Sequence, residues 1–136
     1  MNGVTKENNI MTGYVVELEK ATLENENFRT VLYTAKHSQL VLMTIQPGDD
    51  IGLETHADHD QFIRVEAGTA KALLNGEEHE LVDGSAVVIP AGTEHNIVNT
   101  GSDKLKLYTL YTPPEHPDGT VHVTKADALV DPHEQH

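Results

Sequence analysis

Turn formers cut this chain into pieces too short for long helices. Between Tyr14 and Tyr111 the apolar and β-branched residues fall into the runs Tyr14–Glu19, Phe28–Thr34, Gln39–Gln46, Gln61–Glu66, Ala70–Asn75, Glu78–Val82, Ala86–Ile89, His95–Asn99 and Leu105–Tyr111. Between them stand Pro47-Gly48-Asp49, Ala67-Gly68, Asn75-Gly76-Glu77, Asp83-Gly84, Pro90-Ala91-Gly92 and Thr100-Gly101-Ser102. Asn75-Gly76 between apolar runs is a strong hairpin signal, because a type I′ turn needs positive φ at both central residues. In the last run Leu105, Leu107 and Thr109 alternate with Lys104, Lys106 and Tyr108, a period of two that puts one face in a core. Short strands at this spacing predict an all-β, antiparallel sandwich or barrel. One short C-terminal helix is expected over Lys125–Val130, capped by Thr124 with Asp127 in its first turn and stopped by Pro132. The expected organisation is a mobile N-terminal segment over 1–13, a barrel over 14–112, and a Pro-rich loop and tail over 113–136.

Composition removes several classes of function. With 9 Lys and Arg against 22 Asp and Glu, the formal net charge is −13, and the cations are scattered. No basic stripe is available to displace phosphate counterions, so nucleic acid is not an expected partner. The longest apolar runs, Leu40–Met43 and Ala86–Ile89, fall far short of the roughly 20 residues that span a bilayer. No membrane association is expected. The first twenty residues carry no apolar signal core, and the chain has no Cys, so a reducing, cytoplasmic setting is the expectation. Without Cys there is also no thiolate nucleophile, and none of the Ser sits in a G-x-S-x-G turn. What the chain has instead is 9 His among its carboxylates, the donor types of a divalent-metal site.

Two stretches gather these donors. In Gly52–Gly68, Glu54 and His56 are two residues apart and project to one face of an extended strand. Gln61, Ile63 and Val65 share a face of the next strand; if both faces point the same way, Gln61 comes within ligand reach. In Gly84–Asn99, a tight Pro-x-Gly turn precedes His95, which shares a face with Ile97 and Asn99.

The second stretch resembles the second motif of the cupin superfamily at every defined position: Gly84, Pro90, Gly92, His95 and Asn99. The first resembles the first cupin motif, H-x-H followed by Glu and then Gly. Counting back from Gly68 sets Gln61 at the motif's Glu, His56 at its second His and Glu54 at its first. The resemblance covers about half the chain, from Gln39 to Tyr111. It implies a small single-domain jelly-roll β-barrel and a metal held by Glu54, His56, Gln61 and His95. Glutamine in the Glu position is known among small cupins, including enzymes that convert unsaturated uronates, and its carbonyl oxygen still binds metal. Two imidazoles, a carboxylate and an amide oxygen suit Mn, Fe, Ni, Co or Zn, with positions left open for water or substrate. Small cupins commonly pair through their outer sheets, so a homodimer is expected, with apolar outer positions such as Phe62.

The functional expectation is a metal-dependent enzyme on a small sugar or sugar-acid-like molecule, of isomerase, tautomerase or lyase type, with the metal as Lewis acid. A metal-dependent dioxygenase and a non-catalytic small-molecule-binding barrel are the alternatives. No catalytic acid or base is identified; Glu54, His59 and His116 are weak candidates. His59 is also a reserve ligand, although on a strand it faces away from His56. Arg64 is the only cation inside the motifs, which argues against a phosphorylated sugar. Tyr108 and Tyr111 lie on opposite faces of one strand, so at most one lines the pocket. The Pro-rich segment Tyr111–His122 is expected to pack along the outside or across a dimer partner rather than close the barrel as a lid. His37, His79, His133 and His136 read as surface residues.

Overall fold

A computed structural model describes residues 13–134. The expected mobile segment 1–13 therefore lies outside the described residues, Gly13 apart, as does His136. After helix α1 (Leu18–Glu24) come strands β1 (Arg29–Thr34), β2 (Gln39–Ile45), β3 (Glu54–Thr55), β4 (Asp60–Ala67) and β5 (Ala70–Leu74). Then follow β6 (Glu77–Leu81), β7 (Ala86–Ile89), β8 (Glu94–Asn99), β9 (Leu105–Thr112), β10 (Val121–His122) and helix α2 (Lys125–Val130). A 3₁₀ turn over Pro132–Glu134 completes the described chain. Every strand pair is antiparallel, in one sheet of order β10-β1-β2-β9-β4-β7 and another of order β3-β8-β5-β6. The chain is thus a small jelly-roll barrel with a short C-terminal helix.

The period-two pattern explains the closure. Val41, Met43 and Ile45 of β2, Ile63 and Val65 of β4, and Leu105 and Leu107 of β9 are sealed from solvent between the sheets. Each contributes roughly 1.5–3 kcal/mol on burial, far more than a surface ion pair. A one-residue slip would turn all of them outward, so this face sets the register. At the hairpin between β5 and β6, Asn75 and Gly76 have φ of +50° and +83°, as the turn signal requires. Asn75 also exchanges hydrogen bonds with Glu94: its N–H donates to the Glu94 carbonyl (2.7 Å), and its side-chain oxygen accepts the Glu94 N–H (2.9 Å). The hairpin turn thereby anchors the start of β8, the residue before His95.

One element departs from the sequence reading. Tyr14–Glu19 is not a strand; its last two residues open helix α1. Leu, Glu, Lys and Ala are good helix formers, and Lys20 pairs with Glu24 one turn on (3.4 Å). The helix packs over β2, β9 and β4, on the outer side where Thr44 and Lys106 bond the Asn25 carbonyl. The C-terminal helix follows expectation, with both halves of the Thr124–Asp127 capping box formed. Among the described residues no helix is long and apolar enough to cross a membrane.

Candidate metal centre

Glu54 of β3 and His95 of β8 are direct cross-strand partners, which puts a carboxylate beside an imidazole. His56 follows β3, and its carbonyl accepts the Gly92 N–H (2.8 Å), so the Pro-x-Gly turn of the second motif is tied to the first motif. Glu54, His56 and His95 each offer a ligand atom within 4.8 Å of the others. Gln61 begins β4 on the face it shares with Ile63 and Val65 and is 5% exposed. The four residues of the expected set thus converge on the interior from three strands and the turn after β3.

Local hydrogen bonds orient these donors. The His95 Nδ1 lies 2.8 Å from the Thr93 carbonyl, which can only accept, so in the neutral ring that nitrogen carries the proton and Nε2 keeps its lone pair. The Gln61 amide nitrogen donates to Thr109 Oγ1 (3.0 Å) on β9, leaving Oε1 buried with no hydrogen-bond partner. A buried carbonyl without a donor is costly, and each such case in a folded protein calls for a reason. A cation held jointly with Glu54, His56 and His95 supplies one, so the donor set fits a divalent metal.

The electrostatics of the pocket are mixed. Burial pushes the Glu54 carboxyl up, but the hydrogen bond and charge of His56, with the charges of Arg29 and His95, hold it below its ordinary range. Conversely the hydrogen bond with Glu54 raises His56 above the usual imidazole value, against burial, with the charges of Glu54 and Glu115 adding to the rise. The charge of Arg29 opposes that rise. Arg64, by contrast, faces outward opposite Tyr108 and Ala86. Arg29 shares the inward parity of Val31 and is 4% exposed. Its Nη1 donates to His122 Nδ1 (3.1 Å), and His122 Nε2 in turn meets Asp131 Oδ2 (2.8 Å). Nothing in the motif spacing marked Arg29 or His122; the only hint was a charged residue at an inward position of an apolar strand.

The Pro-rich segment corrects the expectation of an outside or cross-dimer packing. It crosses back to the site and brings a carboxylate with it. Glu115, its side chain 8% exposed, lies 3.6 Å from His56 Nδ1 through Oε2 and 3.3 Å from His59 Nε2 through Oε1. His56, His59 and Glu115 form a second group of potential ligands that shares His56 with the first. His59 also reaches the Pro114 carbonyl (3.0 Å). His116 is buried, edge-on to Tyr111 with ring centroids 5.1 Å apart. Tyr111 is therefore the pocket tyrosine, also edge-on to His56, while Tyr108 lies on the outer face beside Phe62. His37, His79 and His133 are exposed, as read.

The family profile of the Cupin domain matches residues 41–111. The uncharacterized protein YrkC of Bacillus subtilis (strain 168) is 49% identical over 122 residues, covering 85% of this chain; the chain spans 66% of YrkC's length. The crystal structure of BH2720 from Bacillus halodurans superposes with a TM-score of 0.86 at 48% identity, covering 87% of this chain and 94% of that one. KdgF from Halomonas sp. is more distant, with a TM-score of 0.59 and 28% identity over 63% of this chain and 79% of its own.

Proposed function

This chain belongs to the cupin superfamily, and from that premise we propose that it is an enzyme whose divalent metal acts as a Lewis acid on a small sugar-acid-like substrate. The observation that carries the reading is the buried Gln61 Oε1, without a hydrogen-bond donor, on the interior face that the imidazoles and carboxylate also enter. Glu54, His56, Gln61 and His95 would hold the metal. When bound, such a metal polarises a carbonyl or hydroxyl oxygen, the activation that isomerisation, tautomerisation and lyase reactions share.

The chain's own residues supply the rest. His95 and Gln61 are pre-oriented by Thr93 and Thr109, so little ordering is left to do on binding. Tyr111 lies edge-on to His56 and packs edge to face with His116 behind it, which gives the pocket a part-aromatic wall. Arg29 changes the substrate argument. A divalent ion and the buried guanidinium bring three positive charges and the Glu54 and Glu115 carboxylates two negative ones, so one positive charge remains. A cavity of that sign favours an anionic substrate such as a carboxylate-bearing sugar.

The test is metal analysis of the purified chain beside His56→Ala, His95→Ala and Gln61→Leu. One metal per chain is expected in the wild type, with loss in both His variants and weaker retention in Gln61→Leu. Full metal in both His variants would sink the assignment. Two imidazoles and one carboxylate also suit Fe(II), so a dioxygenase is the second reading; turnover that persists without oxygen excludes it. Bound metal without turnover of sugar acids or phenolics favours a non-catalytic binding barrel.

A further inference from the structure

The strap from Pro113 to Pro117 is clamped to the barrel by a buried side chain. Gln39 begins β2 on the inward parity of Val41 and Met43 and is 1% exposed. Its Oε1 accepts the N–H groups of Glu115 (3.1 Å) and His116 (3.0 Å). Its Nε2 donates to the His116 carbonyl (2.7 Å) and to Thr34 Oγ1 (2.9 Å). Both ends of this amide are thus used, three of the four bonds going to the strap, and the Glu115 backbone is fixed relative to the barrel. The carboxylate it carries is then directed inward, against the usual preference of an acid for water, to lie between His56 and His59.

The two nitrogens of His56 face two carboxylates. Glu54 lies 3.2 Å from Nε2, and Glu115 lies 3.6 Å from Nδ1. A neutral imidazole carries one proton and donates from one nitrogen only, and the charge nearest each nitrogen biases which one. Glu54 by itself would draw the proton to Nε2, the nitrogen on the side of the candidate metal ligand Glu54, where a cation needs a lone pair. We propose that Glu115, presented by the Gln39-clamped strap, is a positioning residue that draws the His56 proton toward Nδ1 against the nearer Glu54 and so raises the share of rings whose Nε2 is open to a cation. This rests on the metal-site reading above and names how one of its ligands is made ready. It also accounts for a buried acid beyond the motifs.

Two measurements test it on the full chain, wild type beside Glu115→Ala, Glu115→Gln and His56→Ala. The first is affinity for Zn²⁺ alone by competition with a chelating dye. Glu115→Ala should lose about ten- to a hundredfold, the usual effect of removing a carboxylate behind a ligating His. Glu115→Gln, which keeps an acceptor oxygen but no charge, should fall between, and its near-identical shape guards against misfolding. The second is the His56 tautomer in the metal-free chain, read from ¹⁵N imidazole shifts above its titration. The Nδ1–H population should fall in both variants, a change that mere loosening of the strap would not direct to one nitrogen. An unmoved tautomer population, or wild-type affinity in Glu115→Ala, overturns the proposal. If the wild type binds no Zn²⁺, or His56→Ala binds as well as wild type, the metal-site reading fails instead, and the tautomer alone decides the role of Glu115.

Discussion

Glu54 and His56 form an ion pair whose members shift in opposite senses, and the signs define a pH window. The carboxyl is lowered in the fold, so its stabilising effect is complete above its ordinary value of 4.5 and is lost as pH falls through the lower folded value. The imidazole is raised, so its effect is complete below its ordinary value of 6.5 and is lost as pH rises through the higher folded value. Metal-free protein should therefore show its largest Tm benefit from this pair between about pH 4.5 and 6.5. The His56→Ala variant should show a flatter Tm–pH curve across that window. Added Zn²⁺ should raise Tm progressively as pH climbs past it, since ligation needs the deprotonated ring. Gln61 and Gln39 make a related point. Each is an amide on the inward face of an apolar strand, a place where an uncharged polar group persists only with a partner. Face parity and motif spacing both point to Gln61; Gln39 obeys the same parity rule outside either motif.

Among the elements, the turn between β8 and β9 owes its shape to a motif residue with no part in ligation. Asn99 is 2% exposed, and its amide donates to the carbonyls of Ile45 (2.9 Å) and Asp103 (2.9 Å) while its oxygen accepts the Gly101 N–H (2.9 Å). It staples β2, β8 and the entry to β9. Replacing it with Leu strands three backbone groups and should cost about 2–4 kcal/mol, measurable by urea unfolding. At the other motif, Gly68 has φ +96°, and an added Cβ would lie 2.9 Å from the Lys104 carbonyl. Both motif positions are thus explained by backbone geometry and not by chemistry at the site. Helix α1 shows the opposite case. Its residues favour a helix locally, yet the aromatic and β-branched Tyr14-Val15-Val16 beside them read as strand, and only packing over the outer face of β2, β9 and β4 decides between the two.

For the molecule as a whole, the same packing bears on assembly. Helix α1 occupies part of the outer face of the larger sheet, leaving an apolar area that includes half-buried Phe62 beside Tyr108, exposed Val88 opposite it, and partly exposed Leu110 and Leu40. We propose that a second copy covers it: sedimentation should give a dimer at micromolar concentration, and Phe62→Glu should shift it to a monomer. Most of the barrel and the inward placement of the candidate donors were legible in the sequence. Period-two alternation, turn residues and motif spacing are local properties, and they suffice to put Glu54, His56, Gln61 and His95 on inward positions. What surrounds that set was not legible. Arg29 lies 25 residues before Glu54 in the chain, Glu115 lies 59 after His56, and Gln39 bonds His116 across 77 positions. No spacing rule links such residues, because barrel closure and a strap clamped by the Gln39 amide bring them together, and these exist only once the chain has folded. The donors that can hold a metal follow from the order of residues; the charges that tune them follow from the closed barrel.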